Sequence, residues 1–364
     1  MDKGINPILF SCMILPLLTG FLIYPLNAQQ MAVETITGRK IAVAELERFI
    51  TLQMDSLEVP GLSLAVINNK SVVYAGNFGV KNLLTGEQVN QHTLFEACSL
   101  SKPLFAYFVL KFVQRGALGL DTPVYTYFMD REVDYSDSGY KALTARMVLN
   151  HCSGWPNWRD APGDLLEFSF KPGSQSRYSG EGYQYLKRVL NYLLDVSDIK
   201  LNDYFLEEVT RTLNAEPMSF VWQDSMKVFK AYGHRNGVPT DNGPHGSPDL
   251  FDAAAGLHTT AGGYAKFIAE LMDPNNALNQ ALLELQTSLP PESDGLYRSL
   301  GFPYKPVAGE MRFYHSGNNG DTRSYCHFYR EKGIGLVLFG NSDNFFSSGF
   351  VAKMLEFLDE EYPY

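Results

Sequence analysis

Apolar residues recur at helical spacing in the segment 41–57. They stand three and four positions apart, which is the period of one buried helix face: Val43, Leu46, Phe49, Ile50, Met54 and Leu57. Pro60-Gly61 ends this pattern, and the apolar-rich runs 62–67 and 71–78 that follow are typical of strands. Because Asn68-Asn69 separates the two runs and asparagine tolerates the backbone of a tight turn, the segment predicts a helix followed by a hairpin.

The middle of the chain has mainly helical patterns, and strands return near its end. From residue 102 to about 118 the spacing is helical, and helices joined by glycine- and proline-rich loops continue to about residue 290. The runs 322–330 and 333–340 predict a second hairpin that turns at Glu331-Lys332-Gly333, and a last helix is predicted over about 348–361.

This order of elements predicts an α/β fold in which both ends of the chain build one layer. The α/β part covers about 41–103 and 295–364, and an inserted, mostly helical part covers about 104–294. We expect the substrate cleft between the two parts, since small-molecule sites commonly lie at such junctions.

Residues 1–28 have the pattern of an export signal. Lys3 supplies a positive charge, an apolar run covers 5–26, and Ala28 offers a small residue at the cleavage point. We therefore expect 1–28 to be a signal peptide, 29–364 to be the folded domain, and the protein to be periplasmic or secreted. The alternative is that 1–28 is retained as a membrane anchor. In that case the anchor would be the protein's only contact with a membrane. Three prolines disfavour a straight spanning helix: Pro7, Pro16 and Pro25.

Composition and charge restrict the class of partner. The chain has 364 residues, of which 45% are hydrophobic and 19% charged, and this composition provides for a large buried core. The formal net charge is −10. An acidic surface repels phosphate backbones, so we expect no nucleic-acid partner.

Cysteine and histidine usage predicts neither a disulfide framework nor a metal site. Once the first 28 residues are set aside, Cys98, Cys152 and Cys326 remain, and no CxxC pair occurs. We expect buried free thiols, with one disulfide plus one free thiol as the alternative. The seven histidines form no HExxH or HxH arrangement, so we expect no metal ion.

Ser99 and Lys102 are the leading candidates for chemistry, at the junction between an extended stretch and a helix. Residues three apart share one helix face, so the Ser99 hydroxyl and the Lys102 amine can meet. A helix N-terminus and burial both disfavour a protonated amine, which would make Lys102 a base. The alternative is a serine that caps the helix and a lysine that lies in solvent.

Two later segments supply companions for this pair. Tyr178 stands in a glycine-rich turn that enters a helix, and a tyrosine there can exchange protons with Ser99. Its alternative is a core tyrosine satisfied by one hydrogen bond. His315-Ser316-Gly317 precedes the strand that begins near residue 322, and small residues there let backbone N–H groups approach a substrate.

Together and in this order, the three segments resemble the serine β-lactamase and penicillin-binding-protein superfamily. They are most similar to its class C β-lactamase branch, which includes D-alanyl-D-alanine carboxypeptidases, D-aminopeptidases and esterases. The resemblance extends over about 41–360 through five further motifs: Val59-Pro60-Gly61, Thr93-Leu94-Phe95-Glu96, Gly119-Leu120-Asp121-Thr122-Pro123-Val124, Leu149-Asn150-His151-Cys152-Ser153-Gly154 and Ala255-Gly256-Leu257-His258-Thr259-Thr260. It implies a class C β-lactamase-like fold, with an antiparallel sheet formed by both chain ends and flanked by helices. It also implies a small-molecule or peptide substrate and no cofactor.

The resemblance implies a role for each matching residue. Ser99 would be the acylated nucleophile, Lys102 its activating base, and Tyr178 the proton relay to the leaving group and later to water. The backbone N–H groups of Ser99 and Asn318 would form the oxyanion hole. Three residues would line the substrate site where the family has Lys-Thr-Gly or His-Thr-Gly: His315, Ser316 and Gly317.

Departures from the family pattern bear on the substrate. Gly180 replaces the asparagine of the family's Tyr-x-Asn, His315 replaces a lysine by a group largely neutral at pH 7, and 341–350 contain no arginine. Each change weakens the hold on a penicillin's amide or carboxylate, for which Arg323 is a candidate compensation. We therefore expect small esters or D-amino-acid peptides and amides as substrates. The alternatives are a true class C-like β-lactamase and a non-catalytic descendant that binds cell-wall fragments or a protein partner.

Three neighbouring features receive weaker predictions. Trp155, with Trp158 nearby, is predicted to line the substrate pocket, and ordinary core packing is the alternative. Ser342-Asp343-Asn344 matches the SDN string of class A enzymes but follows the third motif, so we expect a turn or a helix cap. His151 is expected to brace the loop beside the cleft.

Overall fold

The computed structural model describes residues 32–161, 163–240, 243, 247–285, 296–307 and 309–363, together with Met1. Contacts divide the chain into two units, Met1–Met31 and Ala32–Tyr364, and the following description concerns the second. Apart from Met1, the predicted signal peptide lies outside the described residues. Within the described part, no helix combines the length and the apolar character that crossing a membrane requires.

The helices and strands predicted for 41–78 and 322–361 are present, and two short strands that were not predicted, Ala32–Glu34 and Lys40–Ala42, precede them. The α-helices of the described residues are α1 (Val43–Ser56), α2 (Ser101–Gln114), α3 (Ala145–Leu149), α4 (Gly180–Leu194), α5 (Asp198–Phe205), α6 (Ala261–Leu271), α7 (Ala277–Leu282) and α8 (Phe350–Phe357). The strands are β1 (Ala32–Glu34), β2 (Lys40–Ala42), β3 (Gly61–Asn68), β4 (Ser71–Asn82), β5 (Glu87–Gln88), β6 (Phe95–Glu96), β7 (Met218–Ser219), β8 (His234–Arg235), β9 (Val238–Pro239), β10 (His258–Thr259), β11 (Tyr297–Arg298), β12 (Pro303–Val307), β13 (Glu310–Asn318), β14 (Arg323–Tyr329) and β15 (Ile334–Gly340).

An eight-stranded antiparallel sheet forms the centre of the fold. Its order, β11-β12-β13-β14-β15-β3-β4-β5, places strands from the end of the chain beside strands from its beginning. Successive side chains of a strand point to opposite faces, and both faces of this sheet are covered. On β15, Val337 and Phe339 join a core that contains α2 and α6, while Leu336 and Leu338 join a second core that contains α1 and α8. The predicted α/β fold, with one antiparallel sheet built by both chain ends, is confirmed.

Both predicted hairpins are present. β3 continues to Asn68, so the first turn occupies Asn69 and Lys70, one residue later than predicted. Their φ angles of 50° and 60° are the left-handed values that a two-residue hairpin turn requires. β14 and β15 pair antiparallel, from Arg323 opposite Gly340 to Tyr329 opposite Ile334.

The middle of the chain is less regular than its pattern predicts. It carries the short strands β7 to β10, and β10 pairs with both β6 and β7 in a second sheet of three strands. The helix α6, which the pattern assigns to the inserted part, packs against β3, β4 and β15. The thiols of Cys98, Cys152 and Cys326 are buried, and no disulfide joins them.

Candidate active site

A short turn holds Ser99 between β6 and α2. The turn is a 3-10 helix over Cys98–Leu100, and Ser99 is half-buried in it. Cys98 has the left-handed φ of 50°. The Ser101 hydroxyl donates to the Cys98 carbonyl at 2.6 Å and accepts from the Leu257 amide at 3.0 Å. These bonds fix the backbone on both sides of Ser99, so its hydroxyl is presented from a rigid turn.

Lys102 is buried in the first turn of α2, on the side of Tyr178. Its side chain is 1% exposed, and Nζ donates a hydrogen bond to the Ala254 carbonyl at 2.9 Å. Nζ lies 4.6 Å from the centre of the Tyr178 ring and 5.8 Å from that of Tyr183. The alternative of a solvated lysine is therefore wrong, and the structure brings the first and second predicted motifs into contact.

Tyr178 immediately precedes the N-cap of α4. Ser179 is that cap, and its hydroxyl accepts a hydrogen bond from the Gly182 amide at 3.1 Å. The Tyr178 ring stacks on the ring of His151 with centroids 4.4 Å apart. Its hydroxyl is buried, and no described residue hydrogen-bonds to it. The alternative of a core tyrosine satisfied by one hydrogen bond is therefore also wrong.

His315 is the third predicted motif's first residue, and it is buried on β13. Its Nδ1 lies 2.8 Å from the Ser316 carbonyl oxygen, which can only accept. Nδ1 therefore carries the proton in the neutral ring, and the buried Nε2 is a lone-pair acceptor without a partner among the described residues. Burial, followed by the positive charges of Arg298 and Lys102, lowers the pKa of His315 to about 3. The site thus has a neutral group at this position.

Gly317 allows β13 to touch the Ser99 turn. A Cβ at this position would lie 2.6 Å from Cys98 Cβ and 2.9 Å from the Ser99 backbone nitrogen. Only glycine fits such an approach. Asn318 is the next residue on the strand and is exposed. The close approach places the Ser99 amide beside the end of β13, where the sequence predicts the second oxyanion-hole donor.

Two residues of the site were not assigned a chemical role from the sequence. The guanidinium carbon of Arg298 lies 5.3 Å from the Tyr178 ring centre. His151 accepts a hydrogen bond at Nδ1 from the Ser179 amide at 3.0 Å, so its buried Nε2 carries the proton. Burial, then Arg298 and Lys102, holds the pKa of His151 well below its ordinary value. His151 stands in a motif that the sequence singled out, whereas Arg298 reaches the site only through the order of the strands.

Trp155 is not a wall of the cleft, contrary to the prediction. Its side chain is 0% exposed, and its ring stacks on Phe168 at 5.6 Å and packs on Tyr185 at 4.9 Å. An aromatic core therefore encloses it. Trp158 is 48% exposed and lies directly against Gly180, two residues after Tyr178. Of the two tryptophans, Trp158 is the one beside the site.

A buried ion pair lies behind the Ser99 turn. Lys230 Nζ is 2.8 Å from Glu96 Oε1, and the two side chains are 2% and 4% exposed. The other carboxylate oxygen accepts from Asn319 Nδ2 at 2.7 Å and from the Thr322 hydroxyl at 3.3 Å. Burial alone would raise the pKa of Glu96, but Lys230, His258 and the hydrogen bonds outweigh it and lower this pKa to about 2. The carboxylate thus ties β6 to the turn that follows Asn318.

Of the remaining predicted features, Arg323 lies opposite Asn318 on β14, and the SDN string lies outside the cluster. Arg323 donates to the Thr322 carbonyl at 2.9 Å. The Ser342 hydroxyl donates to Asn344 Oδ1 at 2.7 Å, and Asn344 Nδ2 donates to the Leu57 carbonyl at 3.0 Å. The SDN string is therefore a turn, as expected.

Comparison with known proteins agrees with this arrangement. The family model for Beta-lactamase matches residues 46–359, which is most of the chain. The chain belongs to the beta-lactamase family. The resemblance read from the motifs is therefore confirmed.

Two family relatives differ in how much of the chain they match. Esterase EstB of Burkholderia gladioli is 28% identical over 190 residues, which cover 51% of this chain and 42% of that protein. The match thus spans less than half of the length of EstB. Beta-lactamase of Escherichia coli K12 is 21% identical over 349 residues, which cover 82% of this chain and 88% of that protein.

Two solved structures share the fold of this chain. D-alanine carboxypeptidase AmpC from Burkholderia cenocepacia superposes with a TM-score of 0.71 at 18% identity, over 87% of this chain and 99% of that chain. The octameric penicillin-binding protein homologue from Pyrococcus abyssi gives a TM-score of 0.70 at 21% identity, over 88% of this chain and 78% of that chain.

Proposed function

We propose that the protein is an exported serine hydrolase that forms an acyl-enzyme on Ser99 and acts on small esters or on D-amino-acid peptides and amides. The observation that carries this proposal is the position of Lys102. Its Nζ is buried and lies 4.6 Å from the ring of Tyr178, while Ser99 stands one helical turn before it. Family membership and the esterase among the relatives support the same reaction class.

In the proposed reaction, Ser99 Oγ gives its proton to the Lys102–Tyr178 pair and attacks the substrate carbonyl carbon. The carbonyl π bond becomes a lone pair on the oxyanion, which the backbone N–H groups of Ser99 and Asn318 stabilise. When the carbonyl re-forms, the leaving group departs with the proton that the pair returns. A water molecule then repeats the sequence on the acyl-enzyme, and the acid product leaves with Ser99 restored.

The charges around the site favour some substrates over others. His315 stands where the family has a lysine, and it is uncharged at neutral pH. It therefore cannot pair with the carboxylate of a substrate. Arg298, whose guanidinium carbon lies 5.3 Å from the Tyr178 ring centre, is the candidate cation for a carboxylate beside the Lys102–Tyr178 pair. Gly180 supplies no amide to hold the amide of a penicillin. We infer that neutral esters are the main substrates and that peptides ending in a D-amino-acid carboxylate, held by Arg298, are the second class.

A panel of p-nitrophenyl esters, a D-Ala-D-Ala peptide and nitrocefin tests this proposal. We expect ester turnover that disappears in Ser99→Ala and falls steeply in Lys102→Ala and Tyr178→Phe. Ser71→Ala, which changes an exposed serine at the start of β4, is the matched control and should retain full activity. Arg298→Leu should raise KM for the peptide by a larger factor than KM for the esters. Ester turnover equal in wild type and Ser99→Ala would refute the proposal, and nitrocefin turnover exceeding ester turnover would favour a β-lactamase.

Export is the part of the proposal that rests on residues 1–28 alone. A positive charge followed by an apolar run and a small residue supports it. Expression of the full chain in a Gram-negative host, followed by fractionation and N-terminal sequencing, is the test. We expect a mature chain that begins near residue 29 in the periplasm or the medium. An uncleaved chain in the membrane fraction would support the anchor instead.

A further inference from the structure

Gly180 is matched to the indole of Trp158. A Cβ on Gly180 would lie 2.7, 2.8 and 3.0 Å from three carbons of the six-membered ring of Trp158. Real Cβ atoms do not approach other atoms this closely, so the ring occupies the space that a side chain at 180 would need. In the family this position carries the asparagine of Tyr-x-Asn, whose side chain grips the substrate amide.

The segment around Trp158 is fastened to the start of α4. Asn157 accepts hydrogen bonds from the Gly180 amide, at Oδ1 and at its carbonyl oxygen, with distances of 2.9 and 3.1 Å. On the other side of Trp158, Arg159 Nη2 pairs with Glu181 Oε2 at 2.9 Å, and these side chains are 12% and 7% exposed. The Arg159 amide also donates to Glu181 Oε1 at 3.1 Å. Both neighbours of Trp158 are therefore held on α4, so the indole is positioned before any substrate binds.

The exposed part of the indole is an apolar ring face beside Gly180, two residues after Tyr178. Trp158 is 48% exposed, so part of its ring face is open to solvent. It also lines a cavity of about 520 Å³, whose other walls are apolar at Pro156 and Leu165 and otherwise polar or charged: Arg159, Asp160, Asp164, Glu167 and Ser169. An indole offers stacking area but no hydrogen bond from its ring face, in contrast to the amide that it displaces.

We propose that Trp158 determines the acyl specificity of the site by binding an apolar or aromatic acyl group where the family binds an amide. This inference rests on the proposed acyl-enzyme function, and it narrows the substrates to esters of apolar or arylalkanoic acids. An aromatic acyl group stacks on the indole and removes it from water. A short acyl group such as acetyl does not reach it.

Binding and turnover of two esters with one leaving group test the role of Trp158. p-Nitrophenyl phenylacetate and p-nitrophenyl acetate are compared in wild type, Trp158→Ala, Trp158→Phe and the control Tyr192→Ala. Tyr192 is an aromatic residue near the end of α4 that is 62% exposed, against 48% for Trp158. For the phenylacetate, Trp158→Ala should raise KM about tenfold with kcat little changed, and Trp158→Phe should restore most of the loss. The acetate kinetics and the Tyr192→Ala kinetics should match wild type.

The same comparison by calorimetry in a Ser99→Ala background separates this inference from the proposed function. In that background p-nitrophenyl phenylacetate stays intact, so its binding can be measured directly. Its affinity for the protein should fall about tenfold in Trp158→Ala, and this result does not depend on whether the wild type is catalytic. Equal losses for both esters, or no loss of phenylacetate affinity, would overturn the role of Trp158 alone. Absence of Ser99-dependent turnover with every ester would instead overturn the proposed function.

A paired substitution provides a second measurement. Gly180→Asn in the Trp158→Ala background restores space and an amide together, and we expect binding of nitrocefin to become measurable or to tighten. Gly180→Asn alone forces the side chain into the indole and should give no such gain. If both variants gained nitrocefin affinity equally, the indole would not be what excludes the amide.

Discussion

Replacing Glu96 by glutamine should destabilise the protein far more than removing an exposed carboxylate. In Glu96→Gln, Lys230 stays buried at 2% exposure opposite a neutral amide. Removing one partner of a buried ion pair costs about 3–5 kcal/mol, because the remaining charge is left desolvated. Glutamine also has a single acceptor oxygen, so it cannot accept both from Lys230 and from the Asn319 and Thr322 side chains.

This free energy corresponds to a measurable shift in melting temperature. Unfolding entropies of about 2.1 cal/mol/K per residue give about 0.7 kcal/mol/K for a unit of the length of Ala32–Tyr364. A loss of about 3–5 kcal/mol therefore lowers Tm by about 4–7 °C. Differential scanning calorimetry at pH 7 measures it directly.

Two further variants make the Glu96 experiment decisive. Asp203→Asn breaks an exposed ion pair with Lys200, in which the Lys200 side chain is 68% exposed and that of Asp203 is 53% exposed. This variant should leave Tm unchanged, because exposed ion pairs contribute little to stability. The double variant Glu96→Gln/Lys230→Met removes both buried charges and should recover most of the loss. If Glu96→Gln melted at the same temperature as Asp203→Asn, the buried pair would not hold the turn as described.

The pH dependence of the Glu96 effect has a defined sign. The pKa of this carboxyl falls from its ordinary 4.5 to about 2 in the folded protein, so the unfolded chain binds the proton first. Its stabilising contribution is present above about pH 4.5 and is lost as the pH falls toward 2. The difference in Tm between wild type and Glu96→Gln should therefore shrink over that interval.

Three other predictions follow from single contacts of the site. Gly317→Ala should abolish ester turnover, because the added Cβ would lie 2.6 Å from Cys98 Cβ. In the control Gly262→Ala the added Cβ would lie 3.6 Å from its nearest neighbour, and this variant should turn over esters as wild type does. The cysteine thiols should react with Ellman's reagent only after the protein unfolds, since burial raises the pKa of Cys98 to about 12 and that of Cys326 further. A thiol that reacts rapidly in the native protein would contradict this. When the pH falls from 6.5 to about 3, the free energy of unfolding should decrease less in His315→Asn than in wild type, because the unfolded histidine binds a proton in this interval and the buried one does not. Urea titrations at several pH values measure this quantity, and parallel curves for the two proteins would contradict the prediction.

Local patterns in the sequence were sufficient to predict the elements that carry the nucleophile. The helix and hairpin after residue 41 are decided by spacing and by turn residues, which act over a few positions. Ser99 and Lys102 are likewise three residues apart, so their relative position depends only on the Cys98–Leu100 turn and the start of α2. Tyr178 could be added because the order of motifs along the chain resembles a family, although its contact with Lys102 is a tertiary feature.

What the sequence could not predict depends on long-range packing. Trp155 and Trp158 stand three residues apart in one loop, and only the packing of that loop on α4 decides which is enclosed. Arg298 reaches Tyr178 because β11 and β12 extend the sheet beyond β13. Lys230 and Glu96 pair between distant segments, and a charged pair at such separation leaves no local pattern.

The central claim is that Ser99 carries the acyl group. Wild type, Ser99→Ala and Lys102→Ala would each be incubated with a fluorophosphonate probe, and the adduct would be located by intact-mass and peptide mass spectrometry. We predict one adduct per chain, on the peptide that contains Ser99, absent from Ser99→Ala and formed far more slowly in Lys102→Ala. An adduct on another residue, or equal labelling of wild type and Ser99→Ala, would contradict the claim.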